Sequence, residues 1–421
     1  MSVAEQADAI VLGAGVVGVA TAYALARRGV SVALIDREEG PARGASFANG
    51  AQLSYAYSDT LGGPALLRRL PALAFGADPM FRLKLSPDPD LIAWGLKFIR
   101  ACSAASQRDG TIAILKLALE SRRALHNLLA RHPIAFGHTV AGKMHLYFDR
   151  ATLNSAQEIV ELKRAHGAVQ NVLDAREARA LEPALEGARG LEGVVYSPED
   201  EVGDAFLFCE ALTRILVCDY GMRTLFGTQP AEVSFDAGSV TIRGTRNEFV
   251  RGRALVVAAG TGAGSILKPL GLAAPVQPLK GYSFTAPPGA QPPRVSITDT
   301  VRKLVFCSLS SRMRVAGMAE LGDWSTDVVP ARLARLVAMA RESLPQAADF
   351  DTLENYWAGL RPMSPDSVPV ISRPRERVIL NIGHGMLGWT LAMGAGERAA
   401  ELALKDLGTP QVQRQVQDDA A

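Results

Sequence analysis

Between Asp8 and Asp36 the chain spells out a complete strand–helix–strand unit, which restricts the fold more than any other segment. Asp8–Leu12 (D-A-I-V-L) reads as a short buried strand, and G-A-G-V-V-G follows it. Gly13, Gly15 and Gly18 have the G-x-G-x-x-G spacing, Val19–Arg28 is an Ala/Leu-rich helix, and Gly29 is placed to cap it. Val32–Ile35 is a second strand, ending at Asp36 and Arg37. Each glycine has a distinct reason. Gly13 permits the tight turn out of the strand, Gly15 lets the backbone approach a pyrophosphate, and Gly18 packs the helix against the sheet. The helix start, at Val16 and Val17, offers free N–H groups and a positive dipole end to that pyrophosphate. Asp36 lies eighteen residues beyond Gly18, where a carboxylate accepts from an adenosine ribose with a free 2′-hydroxyl. The unit predicts dinucleotide binding but does not choose between FAD and NAD.

Composition narrows the classes. The 421 residues suffice for two or three domains, with 48% apolar and 21% charged residues, as in ordinary globular proteins. Lys plus Arg number 45 against 43 Asp plus Glu, a net charge of +2 that argues against nucleic-acid binding. Ala9–Ala26 is uncharged and as long as a membrane helix. Acidic Glu5 and Asp8 precede it, three glycines interrupt it, and Arg27-Arg28 follow it, so neither a leader nor a span is expected. Cys102, Cys209, Cys218 and Cys307 are widely spaced and read as reduced thiols of a cytoplasmic protein, with no metal-ligand spacing.

Two further strand–glycine elements favour FAD. A-L-V-V-A-A-G-T-G contains Ala259 and Gly260. I-L-N-I-G-H-G-M-L-G-W-T contains Gly383, Gly385, Leu387, Gly388, Trp389 and Thr390, and runs into a long Ala-rich helix. A helix N-terminus there suits the flavin end of an extended FAD, where its dipole stabilises negative charge on the reduced ring. Strands are predicted at Lys143–Phe148, Arg223–Phe226, Ala231–Val233, Ser239–Arg243 and Val276–Thr285, and again at Lys303–Leu309 and Arg314–Met318. Asp88–His132 reads as two helices broken near Gln107–Gly110, and Leu61–Leu85 as an irregular excursion. The expected fold is α/β: a Rossmann-like FAD-binding domain from residues 1–60, 197–272 and 352–410. A second, α+β substrate domain built on an antiparallel sheet takes 61–196 and 273–351, and 411–421 form a polar tail.

Along nearly its whole length the sequence resembles the D-amino acid dehydrogenases of the D-amino acid oxidase superfamily. The matching segments are S-F-A-N-G-A-Q-L-S-Y (Ser46–Tyr55), E-V-G-D-A-F-L-F (Glu201–Phe208) and P-L-K-G-Y-S (Pro278–Ser283). Further matches are R-M-R-V-A-G-M-A-E-L (Arg312–Leu321), W-A-G-L-R-P-M-S-P-D (Trp357–Asp366) and N-I-G-H-G-M-L-G-W-T (Asn381–Thr390). The resemblance implies non-covalent FAD, oxidation of an amine next to a carboxylate by hydride transfer to flavin N5, and a quinone or other electron carrier. It also implies peripheral contact with the inner face of the cytoplasmic membrane, for which Leu61–Leu85 is the candidate. Ser46, Ala48, Asn49, Gly50, Gln52 and Val233 complete the expected cofactor contacts. Tyr55, Tyr282, Arg302 and His384 are the expected catalytic or substrate contacts, with no obligatory histidine base.

Members similar to this chain carry Arg where Ser308 stands, and the superfamily's arginine near there pairs with the substrate carboxylate. Arg302, six residues earlier, would share its face on an unbroken strand, so either Arg302 takes over the carboxylate or the substrate is larger, cyclic or lacks that group. Asp200, Glu201 and Asp204 read as a solvated turn or N-cap, and His126, His132, His138, His145 and His166 as helix or surface residues. The same scaffold would also serve a secondary amine or a 2-hydroxy acid, and a flavin-binding assembly protein without turnover is the reading from another class.

Overall fold

The computed structural model describes residues 5–74, 78–84 and 86–407. The expected polar tail lies outside them. The strand Ala9–Leu12 is buried on both faces and sits inside a six-stranded sheet. The order is Arg223–Leu225, Val32–Ile35, Ala9–Leu12, Ala254–Val257, Val378–Ile382 and Val370–Arg375, parallel except for the last edge strand. Such runs are apolar at every position because helices cover both faces. The helix Val16–Ala26 packs with Gly388–Leu407, which in turn packs on Ala104–Arg131.

A nine-stranded mixed sheet forms the second layer system. Its central strands Gln277–Ala286, Arg312–Leu321 and Leu304–Leu309 are antiparallel neighbours, and Ser296–Asp299 continues in parallel to Lys143–Tyr147. Asn355–Met363, expected among the FAD-binding pieces, pairs with Gln277–Ala286 and forms an edge of this larger sheet. The fold is therefore the α/β arrangement expected, a Rossmann-like sheet beside an α+β unit. A short pair, Gln52–Leu53 with Glu201–Val202, ties the loop after Ser46 to the helix Ala205–Tyr220.

Two local expectations change. Leu61–Leu85 holds the helix Pro64–Ala74 and the strand Phe81–Leu83, which adds to Arg312–Leu321. The helical stretch 88–132 breaks at Cys102–Ser103, where Ser103 caps the second helix through the Ser106 N–H. Gly110 lies inside that helix, facing Thr60 so closely that a Cβ would sit 2.7 Å from its methyl. Among the described residues, no helix is long and apolar enough to cross a membrane.

Candidate functional site

A cavity of about 930 Å³ runs between the two sheets, from the glycine turn to the start of the last helix. At one end Gly13 has φ +105°, and a Cβ there would fall 2.5 Å from the Ala258 carbonyl oxygen. Gly18 is crowded in the same way by Gly13. Gly15 differs. A Cβ on it would meet nothing nearer than Ser46 Oγ at 3.6 Å, so the space over this helix start belongs to the cavity. The first turn carries no acidic side chain, and Ser46 accepts from the Val16 N–H. The end is open to an anion.

Asp36 lines the cavity at the tip of its strand. Its carboxylate accepts from the Ala14 and Glu38 N–H groups. Burial raises its pKa, although those two backbone donors oppose the rise. Arg37 is beside it, its side chain 65% exposed and paired with Glu38. The Ser46–Gln52 loop is pinned by two long-range bonds and a local one. Ser283 donates to the Ala48 carbonyl, Arg314 to the Asn49 carbonyl, and the Asn49 side chain accepts from Ala51 N–H. Gly50 lies against Val305 on the cavity wall.

At the far end Gly383 and Gly385 have φ +79° and +54° and bracket His384. Burial pulls the His384 imidazole down to about 3, and its Nε2 has no hydrogen-bond partner. A buried, unpartnered nitrogen on a cavity wall is free to bond a ligand. Leu387, Gly388 and Thr390 also line this end, and Thr390 Oγ1 accepts from Ser54 N–H. An elongated cavity with an anion-ready helix start at one end and an unpaired polar nitrogen at the other fits FAD.

A profile described as "FAD dependent oxidoreductase" matches residues 8–402. The chain belongs to this FAD-dependent oxidoreductase family. Relatives agree: "D-amino acid dehydrogenase 2" of Ralstonia nicotianae is 39% identical over 404 residues, covering 93% of this chain and 95% of that protein. The D-amino acid dehydrogenase of Paramagnetospirillum magneticum is 37% identical over 398 residues, covering 93% and 94%. Glycine oxidase from Geobacillus kaustophilus has the same fold, with a TM-score of 0.74 at 21% identity and 95% of each chain covered. L-proline dehydrogenase from P. horikoshii gives 0.74 at 16%, covering 98% and 99%. The chain is thus an FAD-dependent enzyme of the amino acid dehydrogenase and oxidase type.

The family member's cavity gathers most of the expected residues but not all. Tyr282 lines it, and its hydroxyl donates to Glu320 at 3.3 Å. Ala259 and Gly260 line it too. Gln52 is held between Lys143, which donates to its Oε1 at 2.9 Å, and the hydroxyls of Ser296 and Thr298. Trp389 donates its indole N–H to the Gly203 carbonyl.

Four expectations are corrected. Val233 lies on the strand Pro230–Asp236, at the edge of a small four-stranded sheet, and packs against a separate apolar cluster; Gln229 and Pro230 reach the cavity instead. Tyr55 is fully buried away from the cavity and donates to Glu201 at 3.2 Å, whereas Ser54 and Tyr57 line the wall. Arg302 lies in the turn between Asp299 and Leu304, where the chain reverses, so its even spacing from Ser308 does not put them on one face. Its guanidinium is held by Asp299 at 3.1 Å and Glu342 at 2.7 Å. Ser308 faces away from the cavity too and donates to the Pro293 carbonyl, while Val305, of opposite parity, faces the cavity.

Sequence reasoning passed over two cavity cations. Lys143 donates to Gln52 and Ser54, and burial lowers its pKa to about 8 despite the attraction of Asp200. Arg361, inside the quoted W-A-G-L-R-P motif, crosses over Gly281, where a Cβ would sit 2.2 Å from its Nη2. Its Nη1 donates to the Met318 carbonyl at 3.0 Å. Among the described residues no carboxylate pairs with it, and burial alone pulls its pKa to about 10. The acidic run is likewise not solvated: Asp200 and Glu201 are buried, and only Asp204 acts as the expected N-cap, accepting from Phe206 and Leu207 N–H. His145 is also buried, stacked on Tyr57 at 3.8 Å.

Proposed function

We propose that the chain dehydrogenates D-amino acids, holding the substrate carboxylate on Arg361, and delivers the electrons to a membrane quinone. Arg361 carries this reading. A part-buried guanidinium on a cavity wall without a carboxylate is costly unless an anion completes it, and its planar fork fits a carboxylate bidentately. FAD, when bound, supplies acceptance of the hydrogen and electron pair removed from the Cα–N unit. Arg361 would fix the carboxylate and thereby the direction of the α-hydrogen. Burial lowers the His384 imidazole to about 3, which argues against it as the proton acceptor, and hydride transfer itself requires the amine in its free-base form. The names of the relatives support the D-configuration.

The quinone acceptor is supported by an apolar arm of the cavity, lined by Leu66, Leu70, Leu73, Trp94 and Phe98. The helix Pro89–Ala101 forms its rim. Trp94 and Phe98 are buried, while Ile92, Leu96 and Ile99 are 54%, 55% and 47% exposed at i, i+4 and i+7. Exposed Lys97 and Arg100 flank this stripe, a combination that suits an anionic lipid surface. The helix therefore extends the expected membrane face beyond Leu61–Leu85. Anaerobic flavin bleaching by D-amino acids but not by L-amino acids or 2-hydroxy acids is expected, followed by faster reoxidation with a quinone analogue than with oxygen. Bleaching by 2-hydroxy acids alone would refute the substrate, and oxygen matching the quinone would refute the acceptor.

A further inference from the structure

The side chains of His126, His138 and Glu201 converge from three separate elements at a place the flavin cavity does not use. His126 is on the helix Ala104–Arg131, His138 in the loop after it, and Glu201 on the short strand Glu201–Val202. Each offers one ligand atom, and the three atoms lie within 4.8 Å of one another. His126 Nε2 is 2.6 Å from one carboxylate oxygen of Glu201 and His138 Nε2 is 2.8 Å from the other. The Glu201 side chain is wholly buried, that of His138 21% exposed and that of His126 43% exposed.

We infer that this triad is a binding site for a divalent ion of the zinc type. Two imidazole nitrogens and one carboxylate are a ligand set zinc takes, at about 2.0–2.2 Å per bond. Nitrogen and oxygen now stand at hydrogen-bond distance, and tetrahedral bonds of that length hold ligand atoms about 3.3 Å apart, so a bound ion needs each pair to part by roughly 0.5–0.7 Å. The exposed side of His126 leaves the remaining coordination position to water. The wholly buried Glu201 carboxylate turns one oxygen to each imidazole and supplies the anionic ligand. It is the anion a cation needs.

Two groups compete for that charge. Arg122 Nε stands 3.6 Å from Glu201 and the Tyr55 hydroxyl donates to it at 3.2 Å. Arg122 shares the oxygen nearest His126 and Tyr55 the one nearest His138. Arg122 stands beyond hydrogen-bond reach, however, and is also paired with Glu199, so an ion displaces one long contact and one hydrogen bond. The site reaches the flavin cavity through the strand pair, since Glu201 stands opposite Leu53, between cavity-lining Gln52 and Ser54. Zinc there clamps that strand pair from behind.

The test is zinc titration calorimetry on the FAD-loaded protein after chelator treatment, with zinc-edge X-ray absorption on the product. His126→Gln and His138→Gln keep an N–H donor for Glu201 while removing a strong ligand. His166→Gln is the control, since that ring lies in the turn after the helix Arg150–Arg164, outside the triad, and bonds the Leu162 carbonyl. One zinc per chain, two imidazole ligands in the absorption spectrum, and at least tenfold weaker binding in both triad variants but not the control are expected. Absence of stoichiometric binding, or equal binding by the triad variants and wild type, overturns the assignment.

Discussion

Arg361→Met is the most informative single change. Among the described residues the guanidinium of the free protein has one carbonyl partner, Met318, and no carboxylate, and burial alone depresses its pKa to about 10. Removing it therefore takes away an unpaired charge rather than half of an ion pair, and methionine fills much of the same volume. The fold should lose no more than about 1 kcal/mol, the worth of the carbonyl bond. The loss in substrate turnover is far larger. Two charge-assisted hydrogen bonds at roughly 1.5–3 kcal/mol each come to about 3–6 kcal/mol, or a hundredfold to ten-thousandfold in kcat/KM. Arg361→Lys keeps the charge but loses the fork, and should fall between the two. Anaerobic stopped-flow reduction of the flavin by a D-amino acid and by its amide separates the contributions. The acid should slow sharply in the methionine variant, while the amide, which has no carboxylate to lose, should change little. Reduction by the acid within about threefold of wild type would place the carboxylate elsewhere and refute the assignment.

Three other outcomes follow from the same geometry. Gly281→Ala puts a methyl where the Arg361 Nη2 passes, with no positive φ at that residue to strain the backbone; kcat/KM should drop about tenfold to a hundredfold through misplacement of the guanidinium, with thermal unfolding nearly unchanged. Arg302→Ala should leave KM for D-amino acids unaltered in steady-state assays but cost about 1–3 kcal/mol in denaturant unfolding, because it strips a partner from buried Asp299. Asp200→Asn tests the buried charge behind the flavin loop: burial raises its carboxyl to about 6, so the folded chain keeps a proton that the unfolded chain has already released. That contribution is present below about pH 4 and is lost as pH climbs through 6, so the variant, whose amide oxygen still accepts from Ala56, should match wild type near pH 4 and exceed it by roughly 1–3 kcal/mol at pH 7 in urea melts.

What the sequence disclosed is local, and what it hid is long-range. Asp8–Asp36 was legible because strand, turn, helix and acid are each coded within a few residues, and Gly13 and Gly15 differ from other residues in ways a sequence displays. The acidic run at Asp200–Glu201 was opaque for the opposite reason. In one dimension it looks like a solvated turn; in the fold Glu201 is enclosed by His126, His138 and Tyr55 from three distant segments. Arg302 failed through a single chain reversal. Parity along a strand assigns a side only while the strand continues, and the turn after Asp299 ends it.

Arg361 shows the same limit within a motif that was recognised. Its residue type, an arginine between leucine and proline, says nothing of where the side chain goes. The register does: Arg361 stands opposite Leu279 and Gly359 opposite Gly281, so the guanidinium can cross diagonally to the one neighbouring position without a side chain. Gly281 is thus part of the carboxylate reading as much as Arg361 is. A cation aimed at the cavity requires a hole in the neighbouring strand, and the glycine of K-G-Y-S is that hole. Replacing either residue should disturb substrate capture, and the double change Arg361→Met with Gly281→Ala should cost no more than Arg361→Met alone. Once the guanidinium is gone, the added methyl has nothing to displace, and additive losses in kcat/KM would mean that Gly281 serves another purpose.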